Sequence, residues 1–253
     1  MLRITDLTLA RGALRLLEGA SLTVHAGHRV GVVGPNGSGK SSLFALLRGD
    51  LLPEAGRVDL PPRWTIAHVA QETPSTDRAA IDFVLDGDTR LRELEGAIAR
   101  EEREHAADGH LIAELHQHYE TIGGYASRAR AAELLAGLGV AEARHGDPVA
   151  SFSGGWRMRL NLAQALAARS DLLLLDEPTA GMSGEESRRI MAFVDELNRS
   201  RGLTILFTEH DMALVFGFAR RISVLHQGSI IADGLPEDVR CNEMVQSVYL
   251  GES

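Results

Sequence analysis

Gly34-Pro35-Asn36-Gly37-Ser38-Gly39-Lys40-Ser41 is an unbroken Gly-x-x-x-x-Gly-Lys-Ser run. Glycines at these spacings let a loop turn its backbone N–H groups toward phosphate oxygens, with a helix N-terminus behind them. Lys40 is the sole lysine among the 26 basic residues, every other one being arginine. A chain so biased towards arginine has kept lysine where a compact ammonium on a flexible stem can reach between phosphates and a broad guanidinium would clash.

The residues around the loop supply the context it needs. Arg29-Val30-Gly31-Val32-Val33 predicts a buried strand running into the glycines, and Ser42 to Leu47 a helix starting where they end. Upstream, the alternation of residues 2–9 and Ala20-Ser21-Leu22-Thr23-Val24 predicts half-exposed strands. Downstream, Leu172-Leu173-Leu174-Leu175 ends in Asp176-Glu177-Pro178, and Thr204-Ile205-Leu206-Phe207 ends in Thr208-Glu209-His210. Ile190, Phe193, Val194 and Leu197 mark a helix between those two runs. Strands alternating with helices predict an α/β fold with a mainly parallel sheet covered on both faces. Ile222 to Leu225, Gln227-Gly228 and Ile230 to Ala232 predict a closing hairpin.

From about Ile81 to Leu138 the chain becomes charged and helical. Leu91, Leu94 and Ile98 share one helical face, Asp108-Gly109 breaks the pattern, and Leu111, Leu115 and Tyr119 form a second face. This is a helical hairpin, and an acidic one.

Bulk properties narrow the class. The 253 residues are 44% hydrophobic and 24% charged, ordinary for a globular protein with a substantial core. A net charge of -9 speaks against binding nucleic acid by charge alone. No stretch reaches the roughly 20 apolar residues of a membrane span, the opening residues lack the apolar core of a signal peptide, and Cys241 is the only cysteine. The expected location is the reducing cytosol, free or docked on the inner face of the plasma membrane.

The chemistry-bearing residues fall in order along the chain. Ser41 follows the lysine, its hydroxyl placed for magnesium. Asp176 brings a carboxylate to a strand end, where it can hold magnesium through water, and Glu177 can deprotonate the water attacking a terminal phosphate. Ser153-Gly154-Gly155 opens a helical pattern and forms a second anion site.

This ordered set resembles the ATP-binding cassette (ABC) ATPases over essentially the whole chain. The resemblance implies a P-loop NTPase, RecA-like core with an antiparallel β subdomain and an inserted α-helical subdomain, together one cassette over 1–253. Residues 1–80 and 150–253 would be the nucleotide-binding core, and 81–149 the helical subdomain with an arm-like hairpin. ATP would lie on Gly34, Pro35, Asn36, Gly37, Ser38, Gly39, Lys40, Ser41 and Ser42. Magnesium would meet Ser41, Asp176 and Gln71, the glutamine-loop residue. Glu177, His210 (the switch histidine), Lys40 and Gln71 would be catalytic. Two cassettes would pack head to tail, each ATP completed by Ser153, Gly154 and Gly155 of the other.

Three departures from the family pattern stand out. No Phe, Trp or Tyr precedes Phe44 to stack on adenine, leaving Arg11 or a nearby aliphatic residue to cover it. Trp156 follows Ser-Gly-Gly where glutamine is usual, and Ser183 replaces a coupling aspartate. Finally, residues 1–179 are similar to the first cassette of ABC-F proteins, soluble ATPases that act on ribosomes. Gln71-Glu72-Thr73-Pro74, the hairpin and Phe152 to Arg159 carry that likeness. From Ala180 onward the chain resembles ATPase subunits of branched-chain amino acid importers, in Glu209-His210-Asp211-Met212, Leu225 to Gly228 and Val248 to Glu252. The reading favoured here is a transporter's ATP-binding subunit with membrane permease partners; the alternative is an ABC-F-like ATPase with the ribosome as partner.

Overall fold

The structure is a computed structural model describing residues 1–11, 14–69, 75–103 and 109–250, with residues 11, 14, 249 and 250 described by backbone alone. It forms two compact units, residues 1–71 with 170–253, and residues 72–169.

The first unit opens with β1 (Leu2–Arg11), β2 (Leu14–Val24), β3 (Arg29–Val33), α1 (Lys40–Leu47), β4 (Ala55–Asp59) and β5 (Ile66–Val69). β1 pairs antiparallel with both β2 and β4, giving a three-stranded sheet in the order β2-β1-β4. Its alternation slips once. Leu2 and Ile4 are buried, then Leu7 and Leu9, because pairing shifts register between Ile4 and Leu7, where Asp6 takes φ 49. A bulge of this kind returns the apolar side chains to the core face after one extra residue.

Residues 72–169 contain α2 (Ala80–Leu85), α3 (Thr89–Arg103), α4 (Gly109–Thr121), α5 (Ser127–Gly137) and α6 (Gly154–Ala167). The helical unit is wider than the expected 81–149. The reason is packing: α6 buries Met158, Leu160, Leu162 and Leu166 and lies against α2 and α5, so the helix led by Ser153 belongs with these helices. α3 and α4 pack on each other as the predicted hairpin, and Leu91 and Ile98 are buried. The second predicted face is not a core face. α4 buries no residue, and Leu111 is 38% exposed; Tyr119 instead stacks edge-on to Tyr125 at 5.0 Å and donates its hydroxyl to Glu95 at 3.1 Å.

The chain then completes the first unit with β6 (Leu172–Asp176), α7 (Gly184–Arg201), β7 (Thr204–Thr208), α8 (Met212–Phe218), β8 (Arg221–His226) and β9 (Ser229–Gly234). Six strands among the described residues lie in the order β5-β6-β7-β3-β8-β9, all parallel except the β8-β9 hairpin. All five residues of β7 and the four leucines of β6 are buried, as expected of strands covered on both faces. Gln227 and Gly228 close the hairpin with φ 47 and 83, the two left-handed positions of a tight turn that matches strand twist. Ser183 has a local role here. It caps α7, accepting from the Glu186 N–H while the Glu186 carboxylate accepts from the Ser183 N–H, a capping box. Among the described residues no helix is long and apolar enough to cross a membrane.

Candidate active site

The site lies at the carboxyl ends of the parallel strands of the first unit, where open α/β sheets bind their ligands. β3 delivers the glycine loop, and its neighbour β7 separates it from β6. Gly37 and Gly39 take φ 78 and 104, conformations that side chains rarely adopt. A Cβ on Gly39 would meet the Leu16 carbonyl oxygen at 2.6 Å, so the loop lies directly on the β2 backbone and glycine is required. The buried Ser38 hydroxyl has no hydrogen-bond partner, a polar group suited to a ligand rich in acceptor oxygens.

Lys40 opens α1 and is buried, its Nζ donating to the carbonyls of Gly34 at 2.6 Å and Pro35 at 3.1 Å. Burial pushes the ammonium's pKa below the ordinary lysine value, and the carboxylates of Glu177 and Asp176 push back.

β6 and β7 bring the other groups together. Asp176 pairs with Thr208 in register, and the Thr208 hydroxyl donates to Asp176 Oδ1 at 2.7 Å. The Glu177 N–H reaches the Thr208 carbonyl at 3.2 Å and its Oγ1 at 3.1 Å. Glu177 takes φ 50, a strained backbone for a residue with a side chain. In that conformation its carboxylate Oε1 lies 2.6 Å from His210 Nε2. A cavity of about 350 Å³ is lined by Asn36, Gly37, Gly39, Lys40, Ser41 and Ser42, by Glu177 and His210, and by Leu16.

Thus six of the nine predicted loop residues line one cavity with the predicted base and histidine. Gly34 and Pro35 face Lys40 through their carbonyls, and Asp176 reaches Thr208. Ser153 is the N-cap of α6, with Gly154 and Gly155 in the first turn, and its side chain makes no capping hydrogen bond. These three residues belong to the other compact unit. Gln71 and the Arg11 side chain lie outside the described residues. Leu16, Thr208 and the buried Thr179–Glu209 pair are absent from the predicted set. Leu16 is an aliphatic residue near Arg11 in the sequence, but nothing in a linear reading separates Thr208 or Glu209 from other strand-end polar residues.

A family model described as "ABC transporter" matches residues 17–180. The chain belongs to the ATP-binding cassette family. A cassette of this family is a nucleotide-binding domain. It is similar to the "Probable ATP-binding protein YheS" of Haemophilus influenzae, 50% identical over 179 residues, 71% of this chain and 28% of that protein. The protein of the same name in Escherichia coli K12 is 40% identical over 230 residues, 91% of this chain and 35% of the relative. Human "ATP-binding cassette sub-family F member 3" is 37% identical over 233 residues, 88% of this chain and 31% of the relative. The chain therefore spans about a third of the length of these relatives. Among solved structures, a nucleotide-free cassette from an ABC transporter superposes with a TM-score of 0.75 at 23% identity, covering 100% of this chain and 99% of that one. That likeness shows the cassette fold, with its α/β core, antiparallel sheet and helical unit.

Proposed function

We propose that this cassette binds Mg-ATP in the Leu16–Lys40–His210 cavity and hydrolyses it with Glu177 as general base, and that residues 1–253 act as one ATPase domain. The observation that carries the reading is the 2.6 Å Glu177–His210 contact at the edge of a cavity built by the phosphate loop. Lys40 Nζ is held by two backbone carbonyls beside the loop, which phosphate oxygens can replace. Ser41 offers a hydroxyl and Asp176 a carboxylate, the hard oxygen donors that suit magnesium, and Gln71 completes the proposed set. Magnesium, when bound, supplies neutralisation of phosphate charge. His210 fixes the Glu177 carboxylate, which takes the proton of the attacking water. Ser153, Gly154 and Gly155 at the start of α6 offer helix N–H groups to an anion, and we assign them to the ATP of a second cassette packed head to tail.

For the partner, we infer an ABC-F-like role on the ribosome. The human relative's sub-family F name and the α3–α4 hairpin support it over the permease-bound transporter subunit favoured by the carboxyl-terminal sequence. The family description keeps the transporter as the second reading.

Replacement of Glu177 by Gln keeps volume and removes the base. Steady hydrolysis of Mg-ATP should fall by roughly 10²- to 10⁴-fold, the range for loss of a general base, and ATP should convert the variant to a dimer on size exclusion. Hydrolysis at the parental rate would sink the assignment of Glu177.

A further inference from the structure

Glu209 is a carboxylate that the hydrolysis scheme does not use, yet it is 6% exposed and fully engaged. Its Oε1 accepts from the Thr179 hydroxyl at 2.6 Å and the Thr179 N–H at 3.0 Å, and its Oε2 from the His210 N–H at 3.3 Å. Burial pushes the Glu209 carboxyl up, and the hydrogen bonds from Thr179 and His210 oppose that push. A buried carboxyl group held by directed donors fixes geometry, because any displacement leaves a polar group unsatisfied.

The two segments it holds are the ones that carry the reacting pair. Thr179 lies two residues beyond Glu177, whose left-handed backbone persists only where the surroundings enforce it. Thr208 secures that residue through its N–H. On the following side the Glu177 carbonyl accepts from the Ala180 N–H at 3.0 Å, and Thr179 is buried and bound to Glu209. The other end of the same carboxylate holds the backbone of His210.

We infer that Glu209 is a positioning residue for hydrolysis: one carboxylate ties the turn behind Glu177 to the backbone of His210 and so sets the contact between their side chains. This rests on the Glu177 mechanism proposed above. Glu209 is not among the residues lining the cavity, so its loss should act on turnover rather than on nucleotide binding.

In the purified chain, Glu209→Ala should lower kcat for Mg-ATP roughly 10- to 100-fold, the loss caused by misplacement of about 1 Å, with KM within about twofold of the parent. Thr179→Val removes the hydroxyl donor alone and should lower kcat less; Thr179→Ser should restore it. In chain labelled with ¹⁵N-histidine, without nucleotide, the His210 ring resonances should move in Glu209→Ala as they do in Glu177→Gln. Unchanged kcat in folded Glu209→Ala, a kcat loss matched by a KM rise, or a Thr179→Ser as impaired as Thr179→Val would overturn the positioning role. Should Glu209→Ala not fold, the Thr179 pair decides. A parent without ATPase activity would defeat the Glu177 mechanism instead, and unmoved His210 resonances would then overturn the tether on their own.

Discussion

Lys40 shows how much one residue can tell and what it leaves out. Its identity was readable because the glycine spacing is local and the rest of the chain has replaced lysine with arginine. The Leu16 carbonyl under Gly39 and the Thr208 hydroxyl on Asp176 come from residues 23 and 32 positions away. No periodicity marks such contacts; the pairing of β6 with β7 creates the second, and packing of the loop on β2 the first. The lone lysine gives a direct measurement, since an amine-reactive reagent can modify only Lys40 and the chain terminus. Burial lowers the Lys40 pKa, so more of it is neutral and nucleophilic at a given pH than for an exposed lysine. Phosphates beside it favour the ammonium. Mg-ATP should therefore slow labelling of Lys40 relative to the terminus and move its pH profile upward, as read by mass spectrometry. Undiminished labelling at saturating nucleotide would contradict the phosphate-loop site.

At the scale of elements, continuous apolar runs were the clearest signal. The leucines of β6 and the run of β7 are buried as their sequences require, because a parallel strand has helices on both sides. Amphipathic periodicity was a weaker guide. It placed α3 correctly, but α4 also has a helical spacing and no buried side chain, since a period reports a possible face and not how deeply it is covered. Ion pairs between elements were invisible in the sequence. Asp86, between α2 and α3, accepts from Arg78 Nη2 at 2.7 Å and from Arg92 Nε at 2.8 Å. Burial alone would raise its pKa, but the two guanidinium groups outweigh it and hold the carboxyl below its usual 3.8. A folded pKa below the unfolded one means stability present above the unfolded value and lost as pH falls through the folded one. Asp86→Asn should therefore cost about 1 kcal/mol in urea unfolding at neutral pH, the upper range for partly solvated pairs. The gap should close as pH falls below 3.8. A gap that persists in acid would mean that shape, not charge, holds this corner.

The whole molecule has one catalytic design and two sequence likenesses. Residues on either side of Asp176-Glu177-Pro178-Thr179 resemble different subfamilies, yet Thr208 and Glu209 from the later part grip the earlier part through the same hydrogen-bond ladder. In the proposed function these bonds hold the hydrolytic residues whichever partner the cassette serves, and only partner binding can separate the readings. The Glu177→Gln form, expected to stay ATP-bound, is suited to this. In lysate with Mg-ATP it should co-sediment with ribosomes through a sucrose gradient, and omission of nucleotide should release it. With a net charge of -9 the contact cannot rest on general neutralisation of phosphates, so moderate added salt should weaken it less than it weakens a polybasic binder. Recovery in the membrane fraction with a permease, and none with ribosomes, would overturn the ABC-F-like assignment and leave the hydrolytic chemistry of Glu177 and His210 intact.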